Sequence, residues 1–223
     1  MINYNKRNLL IIAVATVSVL STAIVIMNPA YTTNTGNLNP NCMSQANVHI
    51  FAQFSVKEPV NLPSGYKFQC GSADNHEAHL LYGQQALTTP NNTGSFQESL
   101  NEQIANGAIY LHLVDEKDIL GNERFATEVG NTTQRTVDVY HEIIRLNPSL
   151  QPKLVNINGI TAWVNEACET CGKQTADFGN GKILQNSFAV PARVQFYDQN
   201  GILYTLQSNM PLQDLIKVAE SLR

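Results

Sequence analysis

The chain has 223 residues and a formal net charge of −4, and only 14% of its residues are charged. A soluble protein averages roughly 25% charged; here 25 asparagines and 15 glutamines fill the gap. Hydrophobic residues make up 43%, which excludes disorder over most of the length, and the mild acidity argues against a nucleic-acid partner.

Residues 9–27 carry no charged side chain and follow Lys6 and Arg7. A hydrocarbon core about 30 Å thick takes about 20 helical residues, and the flanking cations stay on the cytoplasmic side. The segment reads as a single transmembrane signal anchor in the cell membrane. It follows a cytoplasmic tail over residues 1–8 and leaves everything after it outside the cytoplasm. The alternative is secretion after cleavage of a signal peptide. Such peptides have a shorter apolar run, and Met27-Asn28-Pro29-Ala30-Tyr31 makes a poor cleavage site. No second run is long enough for another span. Setting Lys6 and Arg7 aside leaves 12 cationic and 18 anionic side chains, with no attraction to anionic lipid.

Residues 28–47 are rich in Asn, Thr, Gly and Pro and read as a flexible linker. An extracytoplasmic domain follows over residues 48–223. Val48, Ile50, Ala52, Phe54 and Val56 alternate, which predicts a strand. Tyr66, Phe68 and Cys70 alternate likewise; a long polar loop over 71–77 then leads to a partner strand over 78–82. Ser95 and Glu98 form a capping box for a helix carrying Phe96, Leu100 and Ile104, with Gly107 at its end. A strand over 109–114 and a polar linker over 115–130 come next. A second helix over 133–147 presents Val137, Tyr140 and Ile144 and stops at Pro148.

Asn158-Gly159 joins apolar runs over 153–157 and 160–164, a strong hairpin signal because both turn residues take positive φ. The same dipeptide at Asn200-Gly201 joins 192–198 to 202–207. A final helix over 211–222 carries Leu212, Leu215, Ala219 and Leu222 at helical spacing. The expected class is α+β: a mainly antiparallel sheet with helices on one face.

Leu62-Pro63-Ser64-Gly65-Tyr66 ahead of a strand resembles the opening of a family of uncharacterised, membrane-anchored extracytoplasmic domains. Val194-Gln195-Phe196-Tyr197-Asp198-Gln199-Asn200-Gly201-Ile202-Leu203-Tyr204-Thr205-Leu206-Gln207-Ser208 resembles that family's closing hairpin, and Leu215-Ile216-Lys217-Val218-Ala219-Glu220-Ser221-Leu222 its last helix. Asn158-Gly159-Ile160 is similar to its central hairpin. The resemblance spans residues 56–222 in outline. It implies a curved antiparallel sheet similar to those of periplasmic lipoprotein carriers and of an anti-sigma regulator's sensor domain. It carries over no catalytic residue, and residues 168–180 depart from the family's pattern.

Cys42, Cys70, Cys168 and Cys171 are an even set in an oxidising compartment, which predicts two disulfides with three possible connectivities. Cys168–Cys171 and Cys42–Cys70 is the expected pairing. Cys168-Glu169-Thr170-Cys171 is a CxxC, but Gly172, Gly179 and Gly181 follow it where a redox enzyme needs a helix. The His76-Glu77-Ala78-His79 segment is not a zinc-protease motif, because its histidines stand three residues apart. His76 and His79 could complete a zinc or copper site with Cys168 and Cys171 if the two loops meet; otherwise the histidines are solvated. His49, His112 and His141 stand alone and read as structural or exposed. Asn91 and Asn131 begin glycosylation sequons. No nucleophile motif or phosphate loop is recognisable: Gly179-Asn180-Gly181-Lys182 is followed by Ile183 and not by Ser or Thr. The expectation is a cofactor-free, non-enzymatic module that binds an envelope lipid, peptide or protein. The alternative is a metal-binding or thiol-redox protein.

Overall fold

The computed structural model describes residues 42–84, 96–177 and 183–223, without the side chains of 96–99, 173–177 and 183–186. The expected membrane span, residues 28–41 of the expected linker, and Asn91 lie outside the described residues. Among the described residues no helix is long and apolar enough to cross a membrane.

In chain order the elements are α1 (Gln45–Phe51), β1 (Lys67–Ala73), β2 (Glu77–Gly83), α2 (Phe96–Ala105), β3 (Ile109–Asp115), α3 (Glu116–Leu120), α4 (Asn122–Glu128) and α5 (Thr132–Leu146). A 3-10 turn (Pro148–Leu150) leads to β4 (Lys153–Ile157), β5 (Ile160–Asn165), β6 (Cys168–Asp177), β7 (Ile183–Val190), β8 (Ala192–Tyr197), β9 (Ile202–Ser208) and α6 (Leu212–Glu220). Seven strands form one sheet in the order β1-β2-β3-β9-β8-β5-β4. Every neighbouring pair in it is antiparallel. The chain is thus α+β with a mainly antiparallel sheet. Strands β6 and β7 make a separate two-stranded sheet.

Successive strand residues point to opposite faces. One face carries Ala78, Leu80 and Tyr82 of β2, Ile109, Leu111 and Leu113 of β3, Ile202, Tyr204 and Leu206 of β9, and Val194 and Phe196 of β8. Val48 of α1 and Leu212, Leu215, Val218 and Ala219 of α6 close over it as one apolar core. The chain end is tied down beside this core: Glu58 and Arg223 exchange two backbone hydrogen bonds of 3.1 Å.

Helices also lie on the opposite face, not on one face as expected. At that face Leu81 and Tyr110 are themselves apolar, and Leu100 and Ile104 of α2 bury them. Helix α5 packs over β4, β5 and β8, and its Arg135 interacts with Tyr197. Strands β8 and β9 are therefore buried at every position.

Four local expectations change. Residues 45–51 are helix, not strand; Ser44 caps it by accepting from the Asn47 amide. The β1–β2 connection is only Asp74–His76 because Asp74 Oδ1 accepts from the His76 and Glu77 amides at 2.8 and 2.9 Å. Residues 116–128 form α3 and α4, separated by Gly121 at φ +74°. Asn158 and Gly159 take φ of +52° and +87° as the hairpin signal requires, but at Asn200-Gly201 only Gly201 is left-handed. There the Gly201 amide donates to the Asp198 carbonyl, and the Asp198 carboxylate accepts from the Asn200 and Ile202 amides.

Candidate functional site: the polar face of the sheet

The second face of the sheet is buried but not apolar. One row of directly paired residues crosses six strands: Ser72, His79, His112, Thr205, Gln195 and Trp163. A neighbouring row pairs Tyr110 with Gln207, and Gln207 with Arg193. A sheet covered on both sides ordinarily reads as a continuous apolar run. Here β8 and β9 alternate instead, placing Arg193, Gln195, Thr205 and Gln207 inside, each no more than 6% exposed.

Buried polar groups are normally hydrogen-bonded. Along the first row Ser72 Oγ and Trp163 Nε1 are buried and meet no hydrogen-bond partner among the described residues, and the same holds for Arg135 Nε and Asn165 Oδ1.

Arg193 is the most constrained cation. Its guanidinium is buried, and burial brings its pKa down to about 10, which still leaves it charged at neutral pH. With the Gln207 amide turned to satisfy both groups, its oxygen accepts from Arg193 Nη2 at 2.6 Å and Nε at 2.9 Å. The guanidinium also stacks over the Trp163 ring, 5.5 Å from its centre. Among the described residues no carboxylate forms an ion pair with Arg193.

Toward the β1–β2 end, Glu77 Oε2 lies 3.5 Å from Nε2 of both His79 and His112. The two imidazoles are stacked with centres 4.4 Å apart and planes 6° from parallel. Tyr110 Oη lies 2.6 Å from His79 Nδ1. His112 first, then His79, hold the Glu77 carboxyl far below the usual carboxylate range, against the opposing push of burial. Burial, reinforced by His112, lowers the His79 pKa. A neutral His79 imidazole beside an ionised Glu77 carboxylate is the resulting state.

Beyond this, Tyr197 Oη donates to Glu116 Oε2 at 2.8 Å. Burial raises the Glu116 pKa, and the Tyr197 hydrogen bond and Arg135 only partly offset it.

The residues singled out from sequence are distributed differently from the expected four-ligand set. Cys168 is bonded to Cys171 and Cys42 to Cys70, the expected pairing, and among the described residues none is a free thiol. With Cys168 and Cys171 joined to each other, neither supplies a thiolate to a metal. His76 turns away to Asp118, 2.8 Å from its Nδ1. Only His79 remains at a ligand cluster, where Glu77 and His112 join it. Strand pairing alone brings His112 to His79, so no local motif announces it. Asn131 is exposed and caps α5: its Oδ1 accepts from the Thr133 and Gln134 amides at 3.0 and 3.2 Å. Arg193, Gln207 and Trp163 carried no sequence signal beyond a polar residue alternating inside an apolar strand.

Comparison with protein-family models, with curated proteins and with solved structures finds no match to this chain.

Proposed function

We propose that this chain is a membrane-anchored extracytoplasmic module that binds a small anionic ligand on the polar face of its sheet. Arg193 carries the reading. A buried cation is costly unless it is paired with an anion, and among the described residues this one meets an amide oxygen and an aromatic face but no carboxylate. A ligand carboxylate or phosphate supplies the missing charge, and the indole N–H of the adjacent Trp163 offers a further donor. The headgroup of an envelope lipid and the C-terminus of a peptide both fit that chemistry.

The apolar run over residues 9–27 behind Lys6 and Arg7 supports anchorage with the domain outside the cytoplasm. Anchorage raises the local concentration of the domain near envelope ligands. The resemblance to anchored extracytoplasmic domains points the same way, though a shared fold does not by itself carry a function.

The test is native mass spectrometry of the full chain extracted from its own membranes. A co-purifying anionic small molecule that is lost in Arg193→Met supports the reading. A chain that returns empty and takes up no envelope lipid or peptide contradicts it. Protease added outside intact cells checks the topology: the domain should be digested or released while residues 1–8 stay protected.

A further inference from the structure

We propose that Glu77, His79 and His112 form a binding site for a divalent transition metal of the zinc class, with a coordination position left open. This is a different ligand set from the one the CxxC and HxxH spacings suggested, and it does not depend on the ligand reading at Arg193.

The geometry carries it. One ligand atom from each of the three side chains lies within 4.8 Å of the other two. Zinc bonds nitrogen and carboxylate oxygen at about 2.0–2.2 Å in a tetrahedron, which sets neighbouring ligand atoms about 3.3–3.5 Å apart. Glu77 Oε2 already stands 3.5 Å from each Nε2, so two edges of that tetrahedron exist before any ion arrives.

The chemistry agrees with the geometry. Two imidazoles and one carboxylate are the donor set of an open zinc site, where three protein ligands leave the fourth position for water or another ligand. Tyr110 Oη at His79 Nδ1 is the outer partner that a metal-bound histidine commonly has, fixing the ring and its tautomer. With metal at Nε2, the His79 Nδ1–H donates to Tyr110 Oη. No Lys or Arg among the described residues pairs with Glu77 to compete for its carboxylate.

The scaffold and the access also agree. Glu77 and His79 lie two apart on β2, and His112 is the direct partner of His79 on β3. All three ligands therefore come from sheet, which holds position better than loops. The side chains are 35%, 13% and 16% exposed for Glu77, His79 and His112, so an ion can reach them. One adjustment is required: both rings lie almost parallel, and each must turn to aim its lone pair at a shared ion. The χ2 torsion of histidine is broad, so this turn is soft.

The competing role is purely structural, with the Glu77 carboxylate attracting two imidazole N–H groups and no ion. Calorimetric titration of Zn2+ into the chelator-treated full chain in detergent separates the two, with Co2+ as a visible-absorption probe of coordination. The expected result is one equivalent bound, tetrahedral Co2+ bands, and a Zn2+-dependent rise in Tm. His112→Ala and Glu77→Gln should each weaken binding at least 100-fold. Tyr110→Phe, which keeps all three ligands, should weaken it about 10–100-fold. His76→Ala should leave affinity unchanged. Far-ultraviolet circular dichroism without metal shows whether each variant is folded. Should His112→Ala not fold, His112→Gln and the wild-type Co2+ spectrum decide the matter. Absence of stoichiometric binding in the wild type overturns the proposal, as does binding that survives in folded His112→Gln and Glu77→Gln.

Discussion

Arg193 and Gln207 face each other across β8 and β9, and the Gln207 amide oxygen is the acceptor for two N–H groups of a guanidinium buried inside the sheet's polar face. This pairing separates stability from function. Gln207→Leu strands a buried cation and should cost about 2–3 kcal/mol in urea unfolding. Arg193→Met removes the costly charge but leaves the buried Gln207 oxygen without its donors, so it should cost about 1–2 kcal/mol. Combining them should recover most of the loss, a strong coupling in the double-mutant cycle. A stable Arg193→Met chain that no longer holds an anionic ligand would show that the arginine is kept for binding.

Leu215 of α6 is fully buried in the main core. Leu215→Ala should destabilise by about 2–5 kcal/mol through lost burial and a residual cavity. Ile50 of α1 is 72% exposed, so Ile50→Ala should change stability by about 0.5 kcal/mol or less. Equal losses at the two positions would mean that the helices are docked differently.

Gly159 and Gly201 both take left-handed φ, +87° and +88°, but only one is crowded. A Cβ at Gly159 meets nothing, whereas a Cβ at Gly201 would come within 2.6 Å of Phe125 Cζ from α4. Gly159→Ala should cost about 1–2 kcal/mol, the strain of a left-handed residue alone. Gly201→Ala should cost more, and Phe125→Leu in the same chain should recover part of the excess. Thermal denaturation of the four chains checks the order.

Glu116 gives the fold a pH dependence. Burial raises its pKa against the Tyr197 hydrogen bond and Arg135, so the folded chain holds this proton more tightly than the unfolded chain does. The folded state is then favoured at pH below the ordinary carboxylate value of 4.5. That contribution is lost as pH rises from there through the raised value. Glu116→Gln keeps an acceptor for the Tyr197 hydroxyl and removes the charge. It should raise Tm near neutral pH, and the gain should vanish at pH below the ordinary value. A variant that loses stability at neutral pH would show that the Arg135 attraction outweighs desolvation.

The sequence carried the sheet's turns better than its site. Asn158-Gly159 fixes a tight hairpin because its positive φ values are local requirements that the two residues meet by themselves. Residues 48–56 misled because Val48, Ile50, Ala52, Phe54 and Val56 recur every two residues, whereas the buried members, Val48, Ala52 and Val56, recur every four, a spacing that also suits a helix. Ser44 at the cap was the signal that favoured helix. The polar face was illegible for a different reason. His79 meets His112, and Arg193 meets Gln207, only through strand register between distant segments. An alternating glutamine or threonine in a strand ordinarily faces water. What buries these is α2 and α5 on the second face, and nothing in β8 or β9 announces those helices.

The two disulfides should contribute unequally. Cys42–Cys70 joins residues 28 apart, and Cys168–Cys171 joins residues 3 apart. Restricting the unfolded chain is worth about 3.5 kcal/mol for a loop of the first size and about 2 kcal/mol for the second. The first bond also fixes the lead into α1. Met43 and Gly71 exchange backbone hydrogen bonds beside it, and Val48 packs so closely that a Cβ on Gly71 would lie 2.5 Å from its Cγ2. Replacing Cys42 and Cys70 together by alanine should therefore lower Tm by about 7–14 °C, and replacing Cys168 and Cys171 by about 4–8 °C. Alanine avoids burying a hydroxyl at Cys171. Scanning calorimetry of both paired variants against the oxidised parent decides the order. Equal losses would mean that the α1 segment gains its hold on β1 from packing and backbone hydrogen bonds alone.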